Sequence, residues 1–342
     1  MPEELNLIRL LAPDLYEELL LRALLLGRVA ALQPIGRRQL AEKLKLSERE
    51  VRRAAALLKD EGFLVMDTSG MSVTGKAGGI MKEVGELSRS IRGLVEMEKG
   101  LSRLLGVERV HIAAGDADED ESVLADVGKL AAQEIRGLIR HGQTIAVTGG
   151  ATMANMVRYL PNGGKMNVMV IPARSGPGRP VKTQSNTLAA EMAQKLGGHH
   201  RFMYLPEQMD QKALEELMKH PGVKENMDLL QRTDIIIHGV GRADTMLRQL
   251  NLDTHLIRTL LTRGAVAEAY GYFFDINGSI LYHMSGVGVR MDALSSDCRL
   301  IGIAAGKSKA EAIIAVLRQG RHDMIITDEG AAKEILARLS NE

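Results

Sequence analysis

Three features predict an α/β protein with an N-terminal winged helix-turn-helix domain and a C-terminal Rossmann-like, mostly parallel α/β domain. The first 75 residues hold a short helix, a tight turn and an arginine-rich helix in succession. Beyond residue 107, short apolar runs alternate with amphipathic stretches, the pattern of a covered parallel sheet. One apolar run, QTIAVTGGATMANMVRYL, passes straight from a strand through two glycines into a helix. These features divide the chain into residues 1–75, a linker helix over 76–106 that is a possible dimer contact, and a body over 107–342.

The head opens with a helix over 12–32, stopped by Pro34 and Gly36. RRQLAEKL supplies a second helix, and Ser47 with Glu50 three residues later forms a capping box for a third, over 48–60. Val51, Ala54, Ala55, Leu57 and Leu58 make the buried stripe of that third helix, leaving Arg49, Arg52 and Arg53 on its other side. Strands over 63–66 and 71–74, joined by DTSG, complete a wing. Residues 36–60 carry eight Lys or Arg against four Asp or Glu, whereas the net charge of the chain is only +1. Attraction for nucleic acid therefore has to be local. Arg49, Arg52 and Arg53 are the candidates for the major groove, with Arg37, Arg38 and Gln39 as groove or backbone contacts from the preceding helix. A small packing or dimerisation domain with solvated arginines would show the same charges, but not the ordered helices, turn, cap and wing.

In the linker, Ile80, Val84, Leu87, Ile91, Leu94, Leu101 and Leu104 form an apolar line, weakened at Gly85, Gly93 and Gly100. It serves a dimer contact or packs on the chain's own body. In the body, strands are expected at 110–113, 144–147, 167–172, 201–204, 235–238, 266–274, 300–304 and 324–326. Helices are expected at 122–139, 151–160, 183–196, 208–217, 223–232, 253–263, 308–318 and 329–338. Binding in such a sheet is expected at the C-terminal strand ends.

Those ends carry the chemistry of an anion site. Thr148, Gly149, Gly150, Ala151 and Thr152 offer a close turn, hydroxyls and the free amides of a helix start. The loop lacks the spacing of a Walker A or dinucleotide fingerprint. VIPARSGPG delivers Arg174 after a strand, IIIHGVGRAD delivers Gly239, Gly241, Arg242 and Asp244, and IGIAAGKSKAEAI delivers Gly306, Lys307 and Ser308. Gln184 and Asn186 are placed to bond ligand hydroxyls, and Glu268 lies on a strand expected near the site. An arginine and a lysine beside backbone donors neutralise one or two phosphates. His238 is a candidate pocket residue. The remaining histidines form no metal pattern, and the single cysteine, Cys298, reads as a packed thiol rather than a nucleophile. No apolar run is long enough to span a membrane and the N-terminus begins with acids, so a cytoplasmic protein with no cofactor, no metal and no membrane partner is expected.

The segments RRQLAEKLKLSEREVRRAAALLKDEGFLV, TGGATMANM, VIPARSGPG, TQSNTLAAEMA, HGVGRADTM, AEAYGYFFDINGSI and GIAAGKSKAEAIIAVLRQG occur in one order over nearly the whole chain. Together they resemble the SorC/DeoR-type sugar-responsive regulators, and within them the repressors of central glycolytic genes in Gram-positive bacteria. The resemblance implies a body folded like the sugar-phosphate isomerase and deaminase superfamily. It also implies a homodimer or homotetramer acting on double-stranded operator DNA, and relief of repression by a phosphorylated sugar, fructose 1,6-bisphosphate. Carried onto this sequence, it implies an effector site of Gly149, Gly150, Ala151, Thr152, Arg174, Gln184, Gly239, Gly241, Arg242, Glu268 and Lys307. Ala151 contributes only its amide where a hydroxyl residue would add a second donor. A sugar-phosphate isomerase or deaminase is the competing class. It would need a carboxylate base paired with an acid or histidine, and only Glu268, Asp244 and His238 approach that. A non-sensing DNA-binding scaffold and a regulator responding to another phosphosugar, such as fructose 6-phosphate or dihydroxyacetone phosphate, remain as further readings.

Overall fold

The structure, a computed structural model, describes residues 3–174, 180–203, 211–250, 252–284, 286–320 and 322–340. It contains two compact units, Met1–Met97 and Glu98–Glu342.

The first unit begins with α1 (Glu3–Leu11), which the sequence reading did not anticipate, and α2 (Pro13–Leu32), with proline in its first turn. α3 (Arg37–Leu44) ends on Lys45 in the left-handed conformation. α4 (Glu48–Asp60) starts on the expected capping box: the Glu50 amide donates to Ser47 Oγ at 3.2 Å and the Ser47 amide donates to Glu50 Oε2 at 2.8 Å. Such a cap contributes roughly 1 kcal/mol. The wing is β1 (Leu64–Asp67) paired antiparallel with β2 (Gly70–Val73). Asp67 accepts from the amides of Ser69 and Gly70, which closes the turn and, led by the Ser69 hydroxyl, lowers its carboxyl below the usual range.

Leu25, Leu26, Val29, Leu40, Val51, Ala54, Ala55, Leu58, Leu64 and Met71 form the core of this unit. The helical segment expected over 76–105 is three helices, α5 (Gly75–Gly78), α6 (Met81–Ile91) and α7 (Leu94–Leu105). Ala77, Met81 and Val84 pack on the core just described, and residues 76–97 fall within the first compact unit. The second break falls at Gly93, whose φ is +69°.

The second unit is built on β3 (Arg109–Ala113), β4 (Thr144–Val147), β5 (Met169–Pro172), β6 (His199–His200), β7 (Ile235–Gly239), β12 (Arg299–Ile303) and β13 (Met324–Asp328). All pair parallel, in the order β3-β13-β12-β7-β4-β5-β6. Ile145, Val147, Ile235, Ile237, Ile301 and Ile303 are buried in one layer with residues of α8 (Ser122–Leu138), α9 (Ala151–Tyr159) and α10 (Ser185–Leu196). α11 (Gln211–Met218) and α12 (Pro221–Gln231) precede β7. α15 (Ala310–Arg318) joins β12 to β13, and α16 (Glu329–Leu339) follows. Because the chain moves outward from β4 through β5 to β6 and then returns to place β7 against the other edge of β4, a crevice opens at the carboxyl ends of β4 and β7.

The expected strand over 266–274 is instead a hairpin. β9 (Ala267–Ala269) and β10 (Tyr272–Phe274) reverse at Tyr270 and Gly271, with φ of +39° and +94°. They pair antiparallel in a separate sheet with β8 (Gly241–Arg242) and β11 (Ile280–His283). The helices α13 (Ala243–Gln249) and α14 (Thr254–Thr262) pack on that sheet; β11 and α13 were not expected. Residues 201–203 continue beyond β6 without strand pairing, and the expected strand and helix positions 204 and 208–210 lie outside the described residues.

Candidate anion-binding and nucleic-acid sites

At the β4–β7 crevice lies a cavity of about 410 Å³. Ten of the eleven residues named from the sequence border it: Gly149, Gly150, Ala151, Thr152, Arg174, Gln184, Gly239, Gly241, Arg242 and Glu268. Its first wall is the β4–α9 loop. Gly150 has φ +128°, a conformation L side chains rarely adopt, and caps α9 without a side-chain partner for the helix amides. The Gly150 amide itself donates to Thr183 O at 2.9 Å, which fixes the loop against the 3-10 turn Val181–Thr183 before α10. Thr148 Oγ1 accepts from the Gly239 amide at 3.0 Å and so ties the ends of β4 and β7 together. The α9 start thus faces the cavity with a positive dipole end.

The three nearby cations differ. Arg174 follows β5, donates to Met284 Sδ at 3.0 Å and has no carboxylate partner among the described residues. Arg242 is paired through two hydrogen bonds, at 3.1 and 2.7 Å, with Asp244. That pairing, led by the hydrogen bond, raises the guanidinium and lowers the carboxyl from their ordinary ranges. Lys307 is a correction to the sequence reading: its ammonium lies 3.6 Å from Glu334, its side chain is exposed, and it does not border the cavity. Ser308 and Lys309 do. A 3-10 turn, Lys307–Lys309, precedes α15, and the second lysine of GKSK, not the first, borders the cavity.

Glu268 Oε1 accepts from the Gly271 amide at 2.8 Å, so this carboxylate both shapes the β9–β10 turn and offers its other oxygen to the cavity wall near Gly241. Tyr270 also lines the cavity. Its buried hydroxyl finds no hydrogen-bond partner among the described residues, and burial pushes the phenol above its ordinary range. Asn186 is spent on structure, donating to Met203 O and accepting from Met203 N. His238 lies outside the lining and is fully buried, with its ring edge on Tyr270. Ser308, delivered by IGIAAGKSKAEAI, does border the cavity, whereas Tyr270, Gln249 and Lys309 went unrecognised in the sequence; only the double lysine of GKSK carried any signal for them. No His, Cys, Asp and Glu cluster among the described residues has the arrangement of a metal site.

In the first unit, Arg37, Arg38, Gln39, Arg49, Arg52 and Arg53 are all exposed, on α3 and α4. Arg52 pairs with Glu48 on its own helix at 3.1 Å, and Arg38 lies 3.6 Å from Glu42. Arg53 reaches across to Glu18 of α2 at 2.5 Å, where Arg22 also binds; these partners, Arg22 first, hold Glu18 below the usual carboxylate range. Arg49 has no carboxylate partner among the described residues. Arg49→Ala is therefore expected to weaken operator binding about tenfold and to reduce the salt slope by about 0.9, in a DNA titration over several salt concentrations.

Comparison with known proteins agrees with both halves. Residues 21–87 match the family model "CggR N-terminal DNA binding domain", and residues 89–337 match "Putative sugar-binding domain". The chain is 32% identical over 327 residues to the Central glycolytic genes regulator of Bacillus subtilis, covering 95% of this chain and 96% of the relative. It is equally 32% identical to that of Priestia megaterium over 330 residues, 96% of each. Among solved structures, a SorC family transcriptional regulator from Enterococcus faecalis aligns with a TM-score of 0.65 and 34% identity, over 70% of this chain and 99% of its own. The full-length sorbitol operon regulator SorC from Klebsiella pneumoniae shares the fold, with a TM-score of 0.64 and 19% identity over 89% of this chain and 94% of its own. These relatives are transcriptional regulators, not enzymes. No described helix is long and apolar enough to cross a membrane. With a DNA-binding domain at one end and a sugar-binding domain on a parallel sheet at the other, the chain belongs to the SorC family of transcriptional regulators, in the group of the central glycolytic genes regulators.

Proposed function

We propose that this protein represses glycolytic genes by binding operator DNA through α3 and α4, and that a phosphorylated sugar, fructose 1,6-bisphosphate, enters the crevice cavity and releases or remodels the complex. The observation that carries this reading is the convergence of the α9 start, Arg174, Gln184 and Lys309 on one cavity of about 410 Å³, a volume within the range of small-molecule sites. Gly149, Ala151 and Thr152 take one phosphate through their amides and the Thr152 hydroxyl, while Gly150, its own amide held by Thr183 O, shapes the turn. Arg174 and Lys309 supply the positive charge, while Gln184, Glu268 and the paired Arg242 face the sugar hydroxyls and the remaining phosphate.

Operator reading by two-fold related heads requires a homodimer or homotetramer. The effector must then bind two quaternary states with different affinity, since equal affinity would shift neither. The test is an operator titration at fixed salt with and without fructose 1,6-bisphosphate, with fructose 6-phosphate and dihydroxyacetone phosphate as parallel arms. A change of at least tenfold in operator affinity, or a change in stoichiometry, with the bisphosphate is expected. Identical curves in all arms would leave a DNA-binding scaffold as the better reading, and a larger response to a monophosphate would replace the effector.

A further inference from the structure

GKS at the start of a helix has the sequence of an anion-binding loop, yet in this fold its amides are already taken. The Gly306 amide donates to Asp328 Oδ2 at 2.8 Å, the Lys307 amide to Asp116 Oδ1 at 3.2 Å and the Ser308 amide to Asp118 Oδ2 at 2.7 Å. Three carboxylates from two other segments thus cover three successive donors that a phosphate would otherwise receive. Asp328 is fully buried and also accepts from Ala117 N at 2.7 Å, which joins the 114–121 loop to the end of β13. Asp116 Oδ1 accepts from the Asp118 amide at 3.0 Å as well, so this carboxylate is oriented by its own loop where it meets the 306–308 turn. The fit is close: Gly306 has φ +103°, and a Cβ there would lie 2.6 Å from the Asp118 carboxylate. Immediately beyond these held amides, Ser308 and Lys309 border the cavity.

We propose that Asp116 and Asp118 are positioning residues for effector binding, holding the amides of Lys307 and Ser308 so that the turn presents Ser308 and Lys309 to the cavity rather than binding the effector itself. The loop then contributes side chains to the site, and the backbone phosphate cradle is left to α9 alone. This inference rests on the effector reading given above, and it makes residues that do not border the cavity matter for affinity. Asp118 is exposed and sits in a loop, so its removal leaves the hydrophobic core untouched.

The test is calorimetric titration of the full-length protein with fructose 1,6-bisphosphate. Asp118→Ala is expected to raise Kd about tenfold, the scale of a lost hydrogen bond to a charged group, with unchanged operator affinity in the absence of effector. Asp118→Asn, which keeps an acceptor oxygen, is expected to restore most of the loss. In a double-mutant cycle, Asp118→Ala added to Lys309→Ala is expected to cost less than about a further twofold, because a positioning residue has nothing left to position. A merely structural role would give additive losses. If the wild type binds and Asp118→Ala binds equally well, or if the two losses multiply, the clasp is overturned while the effector reading stands. If the wild type binds no phosphosugar, the effector reading itself falls and takes the clasp with it. Should Asp118→Ala fail to fold, Asp116→Ala, which frees the neighbouring amide, is judged by the same outcomes.

Discussion

Arg174→Ala is expected to weaken fructose 1,6-bisphosphate binding about 100-fold, whereas Arg242→Ala is expected to cost less than about tenfold. The difference follows from what each guanidinium already touches. Arg242 is held in two hydrogen bonds by Asp244, and that pair carries no net charge toward a ligand. Arg174 is part-buried at the end of β5 against Met284 and keeps its full charge. Hydrogen bonds to charged groups contribute roughly 1.5–3 kcal/mol, and the upper part of that range is about 100-fold in affinity. Arg174→Lys would keep the charge but lose the planar fork, so an intermediate loss is expected. Titration calorimetry of the three variants, with effector-free operator binding as a control for folding, measures all of this. Equal losses for Arg174→Ala and Arg242→Ala would show that the ion pair with Asp244 opens when the ligand arrives.

That contrast was not legible in the sequence, and the reason is general to the site. Periodicity revealed what is local: the span of α4 with its Ser47–Glu50 cap, the wing, and the strand-to-helix turn at Thr148–Gly150. Each depends on residues within a few positions of one another. Which partner a charged side chain finds depends on the packing of segments far apart in sequence. Nothing in VIPARSGPG tells that Arg174 meets Met284, 110 residues on, and nothing in GKSKAE tells that Asp116 and Asp118 will occupy its amides. The two lysines of GKSK cannot be told apart in sequence either: Lys307 lies beside Glu334 of a distant helix, and Lys309 is the one that borders the cavity. The reversal at Tyr270–Gly271 was hidden because VAEAYGYFF, apolar but for Glu268 and a single glycine, reads much the same whether it forms one strand or two strands of a hairpin, and Tyr270 is a residue rarely found at positive φ.

His238 sets the pH response expected of the second unit. It is fully buried; its Nδ1 lies 3.1 Å from Gly239 O and its Nε2 lies 3.0 Å from His322 Nε2. Because a carbonyl only accepts, Nδ1 carries the proton, and neutral His238 then accepts from His322 through Nε2. A second proton on His238 would place two N–H groups face to face in the interior. Burial first, and His322 second, push the imidazole down to about 3. The unfolded chain keeps the ordinary value near 6.5, so below that pH the unfolded state binds a proton that the folded state refuses. The stability of this unit is therefore unaffected by His238 above about pH 6.5. It falls as the pH drops toward 3, with a loss of about 2 kcal/mol expected by pH 5 from this one group. Urea unfolding at pH 7.5, 6.5 and 5.0, followed by tyrosine fluorescence, measures it; five of the six tyrosines lie beyond residue 97. An unchanged midpoint between pH 6.5 and 5.0, or a His238 ring resonance titrating near 6.5 in the folded protein, would rule out the neutral buried pair.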